Sequence, residues 1–159
     1  MNRESFAQYL AFLDDLGAAL EELTGIEQEK TRFVREDDLD GLNECMKKEQ
    51  ALSMTLRSYD QKRTAMLAAL GLEGVPLRKL AAHAPDGQSR EQAAKTVERL
   101  IRRYELFRGA MEVARDTLEC NLHQIEKAIR AEDPERAAQT GYPGAPVDLP
   151  PQMKTDFRA

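Results

Sequence analysis

From Val97 onward the chain places a seam residue at alternating spacings of three and four as far as Ala128: Val97, Leu100, Tyr104, Phe107, Met111, Ala114, Leu118, Asn121, Ile125 and Ala128. That period matches one face of an α-helix and cannot match a strand, whose side chains repeat every two residues. Ile101, Leu122 and Ile129 lie beside the line and broaden it. A helix from Ser89 to Ala131 would be about 64 Å long at about 1.5 Å per residue. So long a stripe cannot bury itself, and it calls for other helices laid along it.

The rest of the chain supplies them. Tyr9, Leu13, Leu16, Leu20 and Leu23 alternate spacings of four and three inside a helix expected from about Arg3 to about Arg35, with Phe6, Leu10, Ile26, Phe33 and Val34 widening the stripe. Glu36, Asp37 and Asp38 offer a turn and an N-cap, because a short carboxylate accepts the orphan amides of the next helix. That helix should run from about Leu39 to Leu70 on a stripe of Leu39, Leu42, Met46, Leu52, Leu56, Tyr59, Met66, Leu67 and Leu70. Gly71 is its stop. Pro76 suits the first turn of a short helix through about Ala84. Ser89 followed by Gln92 reads as a capping box opening the longest helix.

The expected fold is all-α: an elongated antiparallel coiled-coil bundle of three long helices, with one short helix inserted between the second and third. The third long helix should lie along both of the others. Residues 1–132 form this bundle. Residues 133–159, with Pro134, Pro143, Pro146, Pro150 and Pro151, form a tail expected to lack fixed structure. Val147, Leu149, Met153 and Phe157 are its apolar anchors.

Composition narrows the function. A net charge of −5 argues against nucleic acid, which needs a clustered positive surface. The apolar runs are only a few residues long against the roughly 20 that span a bilayer, and the N-terminus lacks the apolar core of a signal peptide. Two cysteines without framework spacing fit a reducing compartment, so the cytoplasm is expected. Seven acids from Glu4 to Glu29 precede the first base after Arg3, and a solvated helix face is their simplest reading.

Catalysis finds no foothold. Cys120 and His123 stand one turn apart beside Glu119, but a closed metal site needs about four ligands, and only the distant Cys45 and His83 remain. A buried thiol and a partly exposed histidine are the simpler account. The Glu-x-x-His pairs of a di-iron bundle are missing, as are phosphate-binding loops, nucleophile elbows and dinucleotide fingerprints. No cofactor is expected. Three polar residues on the seams draw more interest. Glu49 and Arg63 stand where the second helix calls for apolar side chains, and Asn121 interrupts the last one. Glu49 and Arg63 are about 21 Å apart along one helix at about 1.5 Å per residue, too far to pair. Each needs a partner on another helix or a path to water. Fixing the register is the favoured role, and lining a groove for a guest helix is the alternative.

One stretch is similar to a known family. Leu39-x-x-Leu42, Lys48-Glu49 with Leu52 and Leu56, and Arg63-x-x-Met66-Leu67-x-x-Leu70-Gly71 resemble the FlgN flagellar export chaperones. The acidic turn at Glu36–Asp38, the Glu119–Leu122 stretch and Thr140-Gly-Tyr142-x-Gly144 also look like that family, and the likeness spans about residues 20 to 130. Met66 and Met111 replace commoner leucines, and the tail is richer in proline. The resemblance implies a cytoplasmic chaperone of flagellar type III secretion. It would hold the terminal helices of hook-associated (hook–filament junction) proteins unpolymerised and deliver them to the export gate. A client helix would then pack near Phe107, Met111, Leu118, Leu122 and Ile125, with the segment from Ala137 to Phe157 covering that surface when no client is bound. The competing view makes those five residues ordinary bundle core. A monomer or small homodimer is expected. The other readings are a self-associating coiled-coil scaffold and a helical regulator that sequesters an adaptor.

Overall fold

The computed structural model describes residues 1–132 and 149–158, and every element among them is helical. Helix α1 spans Arg3–Arg35 and α2 spans Leu39–Ala69. A 3₁₀ helix, η1, covers Leu77–His83, α3 runs Gly87–Glu132, and a two-turn α4 covers Pro151–Arg158.

Local chemistry sets the boundaries. Asn2 caps α1 by accepting from the Glu4 N–H, and Asp38 caps α2 by accepting from the Gly41 N–H at 2.9 Å. Gly71 ends α2 with φ at 70°, a conformation that glycine adopts without a side-chain clash. The start of α3 differs from the capping-box expectation. Asp86 accepts from the Ser89 N–H at 2.7 Å, so the helix opens two residues earlier and Ser89 lies buried inside it. The Asp86 carboxylate satisfies the orphan amides of a first turn that begins at Gly87, which leaves the Ser89 hydroxyl no capping role.

Helix α1 is the axis of the molecule. Fifteen of its residues are buried against five in α2, and they include all five leucine-seam positions from Tyr9 to Leu23. Helix α2 runs antiparallel to α1, with Lys30 meeting Glu49 near one end and the Phe12 ring 5.6 Å from Tyr59 further along. Helix α3 runs parallel to α1: Arg3 pairs with Asp86, Asp14 with Arg99 and Glu21 with Arg103. The expectation that the last long helix lies along both others is corrected. It packs along α1 and over η1, not along α2. Helix α1 can take the middle because its apolar residues wrap much of its circumference, whereas α2 offers a narrow stripe broken by charges.

Helix α4 sits in the slot between α2 and α3, against η1. Leu149, just before the helix, and Met153 and Phe157 on one face of it repeat every four residues and join the same core cluster as Phe6, Leu16 and Tyr104. Phe157 stacks at a tilt on Tyr104 with 4.8 Å between ring centroids. The tail was expected to be without fixed structure, but its described end is a docked helix. Pro151 sits at its first position, where a missing N–H costs nothing.

Candidate functional site

Two sets of residues stand out, one of buried charge and one of uncovered apolar surface. The charged set lies in the α1–α2 seam. Continuing the seam of α1 beyond Leu23 by fours and threes gives Glu27, Lys30 and Val34, so two charged residues are carried into the interior. Lys30 Nζ donates to both oxygens of Glu49, at 3.1 and 3.0 Å, and all three of Glu27, Lys30 and Glu49 are buried. Lys30 also lies 3.3 Å from Glu27 Oε2, within ion-pairing range but not directed at it as a hydrogen bond. Two carboxyls and one ammonium leave an excess negative charge. Burial, opposed by Lys30 and reinforced by Glu49, pushes the Glu27 carboxyl up to about 7. The solvated acidic face expected for α1 is therefore corrected at Glu27. Asp14 and Glu21 stay solvated, their side chains 46% and 69% exposed, while pairing with Arg99 and Arg103 of α3.

Arg63, the other charged seam residue of α2, finds its partner in the tail. Its Nη2 donates to Asp156 Oδ2, while Nε and Nη1 are buried without a hydrogen-bond partner among the described residues. Its charge stands beside Tyr9, whose hydroxyl is pushed above its ordinary range by burial and partly restored by Arg63. Asn121 is half-buried where α3 passes the α1–α2 turn, in a cleft of about 500 Å³ lined by Val34, Arg35, Asp37, Cys120 and Gln124. The sequence singled out Glu49 and Arg63. It did not name Glu27 and Lys30, although extending the α1 seam finds them. Asp156 carries no local signal.

The apolar set is the far half of α3. Its seam is buried from Val97 through Ala114, except that Met111 is half-exposed. Beyond Ala114 burial fades: Leu118 and Leu122 are half-exposed and Ile125 is exposed at 39%. The five expected client contacts therefore divide. Phe107 is 0% exposed inside the core, where a guest could reach it only by opening the bundle. Met111, Leu118, Leu122 and Ile125 stay together along one accessible line. Leu39, expected in the α2 stripe, is 59% exposed and belongs to no packed seam. Leu106 and Val113, at 62% and 50%, line a second shallow groove of about 610 Å³ with Thr24, Gln28 and Thr31. Their seven-residue separation was the sequence signal for it.

A family model described as FlgN protein matches residues 1–145 of the chain. The chain belongs to the FlgN family. That membership makes it part of a chaperone family of flagellar assembly, and a helical body with an unfinished apolar seam suits such work. No curated protein and no solved structure matches this FlgN protein. Helix α4 lies outside the stretch that matches the family. Among the described residues no helix is long and apolar enough to cross a membrane, and no three of His, Cys, Asp and Glu gather to hold a metal ion. The expectation of a buried thiol at Cys120 is corrected: Cys120 is exposed on α3, and Cys45 is the buried free thiol.

Proposed function

We propose that this FlgN protein is a cytoplasmic export chaperone that grips the terminal helix of hook-associated proteins, keeps them unpolymerised and hands them to the flagellar type III export apparatus. One observation supports the reading: the three-and-four spacing of the α3 seam continues past Ala114 while its burial fades. Leu118, Leu122 and Ile125 present anchors at i, i+4 and i+7, with Met111 two turns before them, the spacing by which one helix receives another. Met111 adapts to different partners through its three flexible bonds.

In this reading residues 1–132 are the client-holding body, an antiparallel coiled-coil bundle that stays formed while clients exchange, and residues 133–159 are an appended tail. Glu49, Arg63 and Asn121 fix the register of the seams, since each is a polar group at a position where slippage would strand it. Binding requires no nucleotide, metal or catalytic group. The test mixes the purified chain, a monomer or small homodimer on its own, with hook-associated proteins and follows mass by light scattering. A defined heterocomplex supports the chaperone. Growth of the chain alone into large assemblies supports a scaffold and removes this reading.

A further inference from the structure

Helix α4 lies in the slot between α2 and α3, with Phe157 on Tyr104, at the head of the same apolar line that runs on to Met111, Leu118 and Leu122. It fills that slot incompletely. A cleft of about 510 Å³ remains between its Pro151, Thr155 and Asp156 and the wall formed by Arg63, Leu67 and Val75. Arg63, 6% exposed, has one carboxylate contact, from Asp156, and the Tyr9 hydroxyl beside it, while its Nε and Nη1 have no hydrogen-bond partner among the described residues. A buried guanidinium so placed calls for a carboxylate held by two parallel bonds, which α4 does not supply. The occupant is also short, eight residues, and it lies beyond the stretch that matches the family.

We propose that this slot is itself a helix-docking site for a client's amphipathic helix, and that α4 is an intrachain stand-in which the client displaces. The partner helix carries apolar residues at i, i+4 and i+8, as Leu149, Met153 and Phe157 do, and a carboxylate at i+7 to meet Arg63, as Asp156 does. A longer helix of this pattern would fill the residual cleft and continue onto the open line of α3. The identity of the partner rests on the chaperone reading, whereas the existence of the docking site does not.

The test uses the full chain and a released variant, Met153→Asp with Phe157→Asp. The first probe is a fluorescent synthetic peptide of residues 147–159. It should bind the released variant one to one and the wild-type chain at least tenfold more weakly, and an Asp156→Asn peptide should lose at least threefold. A variant that keeps the wild-type helical circular-dichroism signal yet ignores the peptide overturns the proposal. The second measurement needs no variant. Saturating the wild-type chain with the terminal-helix peptide of a hook-associated protein should speed amide exchange across residues 151–158, and unchanged exchange under saturation overturns it. A hook-associated peptide that binds neither form defeats the chaperone reading, and the first probe then decides the docking site by itself.

Discussion

Glu27 gives up its hydration inside the α1–α2 seam and shares one ammonium with Glu49, so the folded chain holds its proton far more tightly than a solvated glutamate would. The sign follows by linkage. This group's stabilising contribution is complete below the ordinary value of 4.5 and is lost as pH rises through about 7. Glu27→Gln removes the penalty and leaves the Lys30–Glu49 pair intact. The variant should exceed wild type by on the order of 1–3 kcal/mol at pH 8, with the gap closing toward pH 4.5, as read from urea midpoints at the two pH values. The two cysteines make a second contrast. Burial, with Glu29 adding to it, pushes the Cys45 thiol up to about 11, while Cys120 is exposed on α3. The thiolate is the reactive form, so a thiol reagent at neutral pH should label one cysteine per native chain quickly and the second only in denaturant. Rapid labelling of both would mean that the turn end of the α1–α2 seam opens readily.

Helix α3 changes character along its length, and substitutions should report the change. Phe107→Asp puts a charge into a fully buried site and should cost more than about 4 kcal/mol, enough to abolish cooperative melting. Leu122→Asp, on the half-exposed half, should cost within about 1 kcal/mol while abolishing capture of a client helix. Thermal melts and a binding titration on the same samples check both. Retained client binding by a folded Leu122→Asp chain would move the site elsewhere, with the Leu106–Val113 groove next in line. The elements themselves were legible because three-and-four periodicity is a property of sequence: the ends of α1 and α2 fall where capping residues and Gly71 put them. How the helices are arranged was less legible. Nothing local says that α1 rather than α3 is central, because that depends on how much of each circumference is apolar in three dimensions. Helix α4 was missed because five prolines outweigh three anchors spaced by four, and those anchors gain their value from Tyr104 and Arg63, distant in sequence. Sequence placed Phe107 on the seam and Leu122 beside it, within one apolar stripe, but packing against α1 decides which of them is covered.

At the scale of the whole molecule, the proposed client surface is an apolar line bordered by charges of both signs. Arg115, Lys127 and Arg130 share the far part of α3 with Asp116, Glu119 and Glu126. Mixed signs at close spacing project little field beyond a Debye length, so the net charge of −5 should steer a client only weakly. The affinity must then come from burying Met111, Leu118, Leu122 and Ile125, and such burial leaves a thermodynamic mark that ion pairing does not. Water released from apolar surface lowers the heat capacity, so the binding enthalpy should become steadily more negative as temperature rises. Isothermal titration of a hook-associated terminal helix at several temperatures should give a negative heat-capacity change, with an affinity that barely moves from low to high salt. The same complex should raise the unfolding midpoint, by about 2.7 kcal/mol of added stability when free client stands at about 100 times its dissociation constant. A steep loss of affinity in salt with no heat-capacity change would place the grip on charged side chains instead, and the seam beyond Ala114 would then have no part in holding the guest.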